Sequence, residues 1–146
     1  MSERRILEDD LGFLIARTSA LLVKTTNRKL SSLGLKVRGY SALAAVCDEP
    51  DGITQRRLAS DVGLDPSQIV ALVDELESRD LVVRTTDPND RRNKLILATD
   101  AGRELCGRAR ELTRDVSREH FVGADDDQLE ALRDLLYRTT FNTSTT

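Results

Sequence analysis

The sequence predicts a mainly α-helical protein with a small β-hairpin wing, which is an α+β fold. Two short helical patterns, at 54–62 and 65–79, are joined at Gly63. Two β-rich runs within 81–97 follow directly and flank a polar loop. Longer helical patterns precede and follow this block. The predicted boundaries are a single domain over 1–146, with a winged helix-turn-helix lobe at 36–98 and helical arms at 5–31 and 100–141.

Composition and length exclude several classes of protein. The 146 residues suit one globular domain with a single core. No run approaches the ~20 apolar residues of a membrane span, and no apolar signal core follows Met1, so we expect a cytoplasmic protein without membrane contacts. The chain has one histidine, His120, and its cysteines, Cys47 and Cys106, are far apart in the sequence. We therefore expect no metal, no cofactor and no enzyme activity.

The first arm is predicted as one long helix from Leu7 to Leu30. Its apolar stripe is wide and consists of Leu7, Leu11, Leu14, Thr18, Leu21 and Thr25, flanked by Ile15 and Leu22. A helix with so wide an apolar face, at the end of a small chain, needs more than one packing partner. We expect its N-terminal half to pack against a second subunit, and packing within one chain is the alternative.

A second helix is predicted over Val37–Cys47, after a break at 31–35. Its inward residues, by helical spacing, are Tyr40, Leu43, Ala44 and Cys47. Lys36 and Arg38 stand at its N-terminus, where backbone N–H groups also attract anions. We expect phosphate contacts from these two cations and from the start of the next helix. That second group consists of Thr54, Gln55, Arg56 and Arg57.

Capping signals delimit the two central helices. Thr54 is a preferred N-cap, and Gly63 suits the left-handed position that ends a helix. Asp65 is the predicted N-cap of the next helix, with Pro66 at N1 and Gln68 completing a capping box. The buried stripe of this helix consists of Ile69, Leu72, Val73 and Leu76.

The opposite face of this second central helix has a small, uncharged N-terminal half. It is formed by Pro66, Ser67, Gln68, Val70 and Ala71. Such a face suits the major groove of DNA, because glutamine can hydrogen-bond adenine, and alanine or valine can contact a thymine methyl. The alternative is the solvated face of an ordinary helical hairpin.

The predicted wing pairs 81–85 with 94–97 around the turn-rich loop 87–93. The tip of this loop carries Arg91 and Arg92 beside Asp90, and Lys94 and Arg84 lie at its base. An arginine at a hairpin tip can enter the narrow minor groove, where the negative potential is strongest, and Asp90 can hold its guanidinium in place. A wing directly after a helix-turn-helix therefore favours DNA binding over a solvated surface.

The distribution of charge is compatible with this prediction. The net charge of −3 argues mildly against binding a polyanion. Basic residues predominate at 11–49, however, and the acidic excess lies at 99–146. We expect a locally positive lobe and a clear salt dependence of binding.

The second arm begins after the wing. Thr99 is predicted to cap a helix from Asp100 to about His120, in which Leu105, Ala109, Leu112 and Val116 repeat at heptad-like spacing. Asp125 and Gln128 form a capping box before a last helix, whose apolar side consists of Leu129, Leu132, Leu135 and Leu136.

The segments 76–82, 87–92 and 95–102 resemble the signature of the MarR family, bacterial winged-helix regulators that act as homodimers. In this sequence they read Leu-Glu-Ser-Arg-Asp-Leu-Val, Asp-Pro-Asn-Asp-Arg-Arg and Leu-Ile-Leu-Ala-Thr-Asp-Ala-Gly. The resemblance implies that Asp90 and Arg92 form the Asp-x-Arg element of the wing, with Arg92 reaching into the minor groove.

Two positions depart from the family pattern. Asp80 replaces the usual glycine after the recognition helix, and aspartate tolerates the left-handed conformation better than most residues. Val70 and Ala71 stand where many relatives have Thr-Arg. We therefore expect Ser67 and Gln68 to be the main base contacts.

The resemblance also implies that a small aromatic or phenolic ligand releases the protein from DNA. The candidate pocket, between arms and lobe, consists of Phe13, Arg17, Tyr40 and Leu43, and the same residues also suit a plain core. Relatives that sense oxidation carry a cysteine near the start of the first helix, and this chain has none there. Cys47 is expected to be inert on its apolar face, and Cys106 is a weak candidate sensor beside Arg103 and Arg110.

Together these features predict a homodimeric, sequence-specific regulator of transcription, a repressor that binds double-stranded DNA. It would bind a pseudo-palindromic operator through helix 65–79 and wing 81–97, with half-sites about one helical turn apart. The alternative is a winged-helix module that docks a protein and does not bind DNA. Arg91 and Arg92 argue against it, because a protein-docking wing would more naturally present apolar residues.

Overall fold

The computed structural model describes residues 3–142, so residues 1, 2 and 143–146 of the predicted domain lie outside the described part. The chain forms two compact units, Met1–Thr113 and Arg114–Thr146. The helices of the first unit are α1 (Leu11–Leu30), α2 (Val37–Cys47), α3 (Gln55–Val62), α4 (Pro66–Ser78) and α5 (Asp100–Thr113). Its strands are β1 (Ile53–Thr54), β2 (Val82–Thr86) and β3 (Lys94–Ala98), and the second unit contains α6 (Val116–His120) and α7 (Asp126–Phe141). The mainly helical fold with a small antiparallel sheet confirms the predicted fold class.

The first long helix begins later than predicted. Leu7–Asp9 forms a separate 3-10 turn, and Asp10 has an extended backbone. The Asp10 carboxylate accepts a 2.7 Å hydrogen bond from the Phe13 backbone N–H, which caps α1 and fixes its start at Leu11. A short polar side chain that can cap therefore overrides the continuous apolar pattern upstream of it.

The buried face of α2 is rotated by about one residue from the predicted face. The structure buries Gly39, Ala42, Leu43 and Val46. Of the residues predicted to point inward, Tyr40, Ala44 and Cys47 are only half-buried. The reason is tertiary, because α2 packs against α3, α4, α5 and β3 and is covered over most of its circumference.

The helix-turn-helix forms as the capping signals predict. The Thr54 hydroxyl accepts a hydrogen bond from the Arg57 backbone N–H at 3.2 Å, and Gly63 adopts φ 70°. The Asp65 carboxylate accepts from the Gln68 N–H at 2.9 Å, and the Gln68 side-chain oxygen accepts from the Asp65 N–H at 3.2 Å. Fully buried side chains of Leu58, Ile69 and Val73 join both helices to the core.

The wing belongs to a three-stranded antiparallel sheet of order β1-β3-β2. Strand β2 pairs with β3 from Val82 opposite Ala98 to Thr86 opposite Lys94. The sequence did not predict β1, in which Ile53 pairs with Ile96. A two-residue strand is too short to show an alternating pattern, and its existence depends on β3, more than forty positions away in the chain.

A compact corner joins the end of α4, the start of β2 and the start of α5. Asp80 adopts φ 57°, the left-handed conformation predicted for this departure from glycine. The Thr99 hydroxyl donates to the Asp80 carbonyl at 2.6 Å and accepts from the Gly102 N–H at 3.0 Å. A Cβ at Gly102 would lie 2.0 Å from the Leu81 carbonyl oxygen, so the backbones approach too closely for any side chain. Thr99 and Gly102, within the family-like segment 95–102, are thus required by the packing of this corner.

The helix predicted from Asp100 to His120 is interrupted. It stops at Thr113, whose hydroxyl donates to the Ala109 carbonyl at 3.0 Å, and resumes at Val116. Side-chain bonds of this kind compete with the helix backbone. The capping box predicted for the last helix is present, because the Asp125 carboxylate accepts from the Gln128 N–H at 2.8 Å.

The fold brings the two cysteines together, although they are far apart in the sequence. Burial, followed by the neighbouring Cys106 thiol, raises the pKa of Cys47 to about 12. A thiol with so high a pKa carries almost no thiolate at neutral pH, as expected of an inert cysteine. Over residues 3–142, no helix combines the length and apolarity needed to cross a bilayer.

We predict that Gly102→Ala lowers the free energy of unfolding by roughly 3 kcal/mol, because the added Cβ must displace the Leu81 backbone. Gly107 lies on the same helix, and a Cβ added there would meet no atom within 4 Å, so Gly107→Ala is the matched control. The control should gain up to ~1 kcal/mol of helix propensity. Urea unfolding measures both, and equal effects would refute the close-approach explanation.

Candidate nucleic-acid interface

The N-terminal half of α4 presents the face that the sequence predicts as the reading surface. Pro66, Ser67, Val70 and Ala71 are exposed, and Gln68 is half-buried. The opposite side of the helix, with Ile69, Val73 and Leu76, is buried. The structure therefore brings the predicted base contacts together on one accessible surface.

Hydrogen bonds within the cap limit what this surface can read. The Ser67 hydroxyl donates to the Asp65 carboxylate at 2.6 Å, and the Gln68 side-chain oxygen accepts from the Asp65 N–H. A bidentate contact with adenine needs both the oxygen and the amino group of glutamine. With the capping box closed, Gln68 can offer a base only its amino donors.

The cap also places charge beside the reading surface. The Ser67 hydroxyl and the Gln68 backbone N–H hold the pKa of Asp65 below its usual value, with a smaller contribution from Arg38. Asp65, which is ionised at neutral pH in any case, therefore keeps its negative charge at lower pH than an ordinary aspartate does. Helices α2 and α4 pack against each other. Lys36, the N-cap of α2, and Arg38 are both exposed.

The predicted phosphate contacts around the N-terminus of α3 differ in whether their side chains are already engaged within the protein. Arg57 donates to Glu49 and lies 3.7 Å from Asp61, so its charge is largely neutralised. The Thr54 hydroxyl is engaged in the helix cap, and Gln55 is half-buried. Arg56 is exposed, and among residues 3–142 its side chain makes no hydrogen bond or ion pair.

At the wing tip the predicted role of Asp90 is wrong in one respect. Its carboxylate accepts from the Arg92 backbone N–H at 3.1 Å and from the Asn93 side-chain amide at 3.3 Å, and does not hold the guanidinium of Arg92. Asp90 therefore shapes the loop. Within the described part of the chain, the exposed side chains of Arg91, Arg92 and Lys94 form no ion pair.

Arg84, predicted as a cation at the base of the wing, has a different partner set. Its guanidinium donates to Asp74 at 2.6 Å and to Glu77 at 2.8 Å, both on α4. The side chain is half-buried between β2 and α4. Its charge is thereby used within the protein.

A groove of about 700 Å³ lies among α1, the α1–α2 corner and α4. Its polar lining includes Asn27, Lys36, Arg38, Glu75 and Arg79, and its apolar lining includes Val23, Leu35, Val37, Leu72 and Leu76. Arg79 donates to the Leu33 and Gly34 carbonyls at 2.9 and 3.0 Å and so fixes the corner against α4. No local pattern indicates this groove, because contacts across 45 and 46 positions build it.

The pocket residues predicted from the sequence do not line this groove. Leu43 is fully buried in the core and Tyr40 is half-buried against it. Phe13 and Arg17 are exposed on α1. The structure thus places one of these four residues in the core, one at its edge and two on the helix surface.

Comparison with known proteins places the chain in a family. A model of the MarR family matches residues 33–93. A transcriptional regulator (MarR family) from Rhodococcus sp. RHA1 is 44% identical, with a TM-score of 0.90, covering 97% of this chain and 100% of that one. CouR from Rhodococcus jostii RHA1, solved with p-coumaroyl-CoA, is 45% identical, with a TM-score of 0.87, covering 98% and 100%.

A third solved structure shows a relative on nucleic acid. The transcriptional repressor CouR, bound to a 23-mer DNA duplex, is 28% identical, with a TM-score of 0.83, covering 94% of this chain and 99% of that one. Sequence identity above 40% over nearly the whole length, together with the same fold, is decisive. The chain belongs to the MarR family of transcriptional regulators.

Proposed function

We propose that this protein is a sequence-specific DNA-binding repressor that acts as a homodimer and is released by a small-molecule effector. The observation that carries the proposal is the exposed reading face of α4 beside a wing whose tip arginines have no ion-pair partner among residues 3–142. Unpaired arginines are the groups that phosphates and the minor groove attract. The DNA-bound CouR structure supports the same assignment.

In this proposal α4 enters the major groove and the wing enters the adjacent minor groove. Pro66, Val70 and Ala71 contact thymine methyls, and Gln68 and Ser67 provide polar base contacts. Arg92 inserts into the minor groove, flanked by Arg91 and Lys94 on a loop shaped by Asp90. Phosphate contacts come from Lys36, Arg38, Thr54, Gln55 and Arg56, with a small contribution from the neutralised Arg57.

A module that docks a protein partner is the second candidate function. It would need an apolar wing tip. The tip residues Arg91 and Arg92 are charged and exposed. DNA binding is therefore the function that the geometry supports better.

We propose that the apolar faces of the arms are buried in the dimer. In the arm 5–31, Leu11, Leu14 and Ile15 are exposed on α1. In the arm 100–141, Leu135, Leu136 and Tyr137 are exposed on α7. Apolar side chains exposed along a helix commonly mark a protein interface. A two-fold dimer then presents two lobes, 36–98, to half-sites about 34–36 Å apart.

The groove is the better candidate than the predicted pocket for the effector. It combines an apolar lining with the cations Lys36 and Arg38, which suits an amphipathic anion. CouR from Rhodococcus jostii RHA1, the relative that is 45% identical, was solved with p-coumaroyl-CoA, an aromatic thioester with phosphate groups. We propose a ligand of this class here. Because Lys36 and Arg38 are also proposed phosphate contacts, an anion in the groove would weaken DNA binding directly.

The chain offers a matched test of base reading, because α4 and α7 begin with the same capping box. We expect Gln68→Ala and Gln128→Ala to lower stability equally, by ~1 kcal/mol or less. Only Gln68→Ala should relax the preference for one operator base pair, by about 1 kcal/mol. Mobility shifts on genomic fragments selected by the wild type, and on their single-base variants, measure this.

An unchanged base preference in Gln68→Ala would remove Gln68 from the reading face. Wild-type binding that ignores salt between about 50 and 200 mM, a range over which phosphate contacts should weaken it strongly, would instead overturn the proposed function.

For the dimer we compare two exposed apolar residues. Leu14 on α1 is 42% exposed and Val83 in the wing is 43% exposed. Leu14→Lys should shift the protein toward monomer at micromolar concentration, because the ammonium group would be buried in the interface. Val83→Lys should leave the dimer intact. Analytical ultracentrifugation measures both variants, and dimers of equal stability would contradict the proposed interface.

For the effector, p-coumaroyl-CoA is the probe. We expect this ligand to bind the wild-type protein and to release the protein from DNA. Val23→Trp should abolish ligand binding, because the larger side chain fills the groove. DNA affinity without ligand should be unchanged in this variant. Calorimetric binding by Val23→Trp equal to that of the wild type would place the ligand elsewhere.

A further inference from the structure

A single side chain joins the wing to the recognition helix. From β2, Arg84 reaches across to α4, where one guanidinium nitrogen donates to Asp74 at 2.6 Å and another donates to Glu77 at 2.8 Å. The Arg84 side chain is only 20% exposed. The planar fork of arginine fixes the direction of such contacts more strictly than a lysine would.

Arg84 lies near the base of the wing, so a small rotation there causes a larger displacement of the wing tip. Arg84 lies opposite Ile96 in the β2–β3 ladder, and the loop that carries Arg91 and Arg92 begins after Thr86. At ~3.3 Å per residue, the tip lies on the order of 10 Å beyond Arg84. A rotation of about 10° at the bridge would therefore move the tip by roughly 2 Å. A shift of that size is enough to misplace an arginine in a narrow groove.

We propose that Arg84 is a positioning residue for DNA docking, which fixes the wing against α4 so that the tip and the reading face engage adjacent grooves together. This inference rests on the proposed function. In this role Arg84 makes no contact with DNA itself. Asp74 and Glu77 contribute to it by holding the guanidinium of Arg84. This role also explains why two carboxylates lie on the outer face of a DNA-reading helix, where they would otherwise only repel phosphates.

Two explanations of the bridge make opposite predictions. If it acted only through charge, removing Arg84 would weaken DNA binding and removing the two acids would strengthen it. If it acts by positioning, both changes release the wing. The two acids of the bridge are exposed, at 60% for Asp74 and 43% for Glu77, and methionine keeps the buried aliphatic part of Arg84, so variants of either kind should remain folded.

The experiment compares Arg84→Met and the double variant Asp74→Ala/Glu77→Ala with the full-length wild type. Arg118→Met, which breaks the 3.1 Å ion pair with Asp126 in the second unit, is the control. Affinity is measured by mobility shift at graded salt, and the wing is located by hydroxyl-radical footprinting of the minor groove. Thermal melting verifies that each variant is folded.

We expect both bridge variants to lose about tenfold or more in specific affinity and to lose the wing footprint, although they change the net charge in opposite directions. Arg118→Met should retain both. Tighter binding by the double variant, or an intact wing footprint in Arg84→Met, would overturn the positioning role. A wild type that binds no DNA fragment would instead overturn the proposed function, so the two failures are distinguishable.

Discussion

The contact between the Leu81 carbonyl and the backbone of Gly102 holds α4, the wing and α5 in one arrangement. A Cβ at Gly102 would lie 2.0 Å from that oxygen, so only glycine permits the approach. Thr99 adds hydrogen bonds to Asp80 and to Gly102 at the same corner. The end of the recognition helix, the first strand of the wing and the start of α5 are thereby fixed together. This corner therefore helps to set the orientation of the wing relative to α4.

The hydrogen bonds that begin α4 also limit what it can recognise. The capping box uses the side-chain oxygen of Gln68, and Ser67 is engaged with Asp65. Their capacity for polar base contacts is therefore reduced by the same bonds that define the start of the helix. Pro66, Val70 and Ala71 are exposed, and in the proposed docking it is these apolar groups that contact thymine methyls.

Pairing of charges matters more here than their total. The chain carries a net charge of −3, which alone would disfavour a polyanion. Arg57 and Arg84 are neutralised by acids of the same lobe, and their charges serve the fold. Lys36, Arg56, Arg91 and Arg92 are exposed and form no ion pair within residues 3–142. The lobe can therefore attract phosphates although the protein as a whole is acidic.

The sequence by itself determined the features that depend on neighbours within a few residues. The caps at Thr54, Asp65 and Asp125 and the hairpin of the wing follow from local hydrogen bonding and turn chemistry, so their residue types predict them. The left-handed Asp80 was expected from its place in the family pattern. The exposed reading face of α4 follows from helical periodicity in the same way.

Only the tertiary structure decided which distant groups meet. Contacts between separate elements determine several features that no local pattern shows. These are the rotated face of α2, the strand β1, the partners of Arg57 and Arg84, the adjacency of Cys47 and Cys106, and the groove beside Arg79. A periodic pattern fixes which side of a helix is apolar, but it carries no information about what covers that side. The ion pairs were missed because an arginine in a sequence has no visible partner, and packing alone chooses between phosphate and carboxylate.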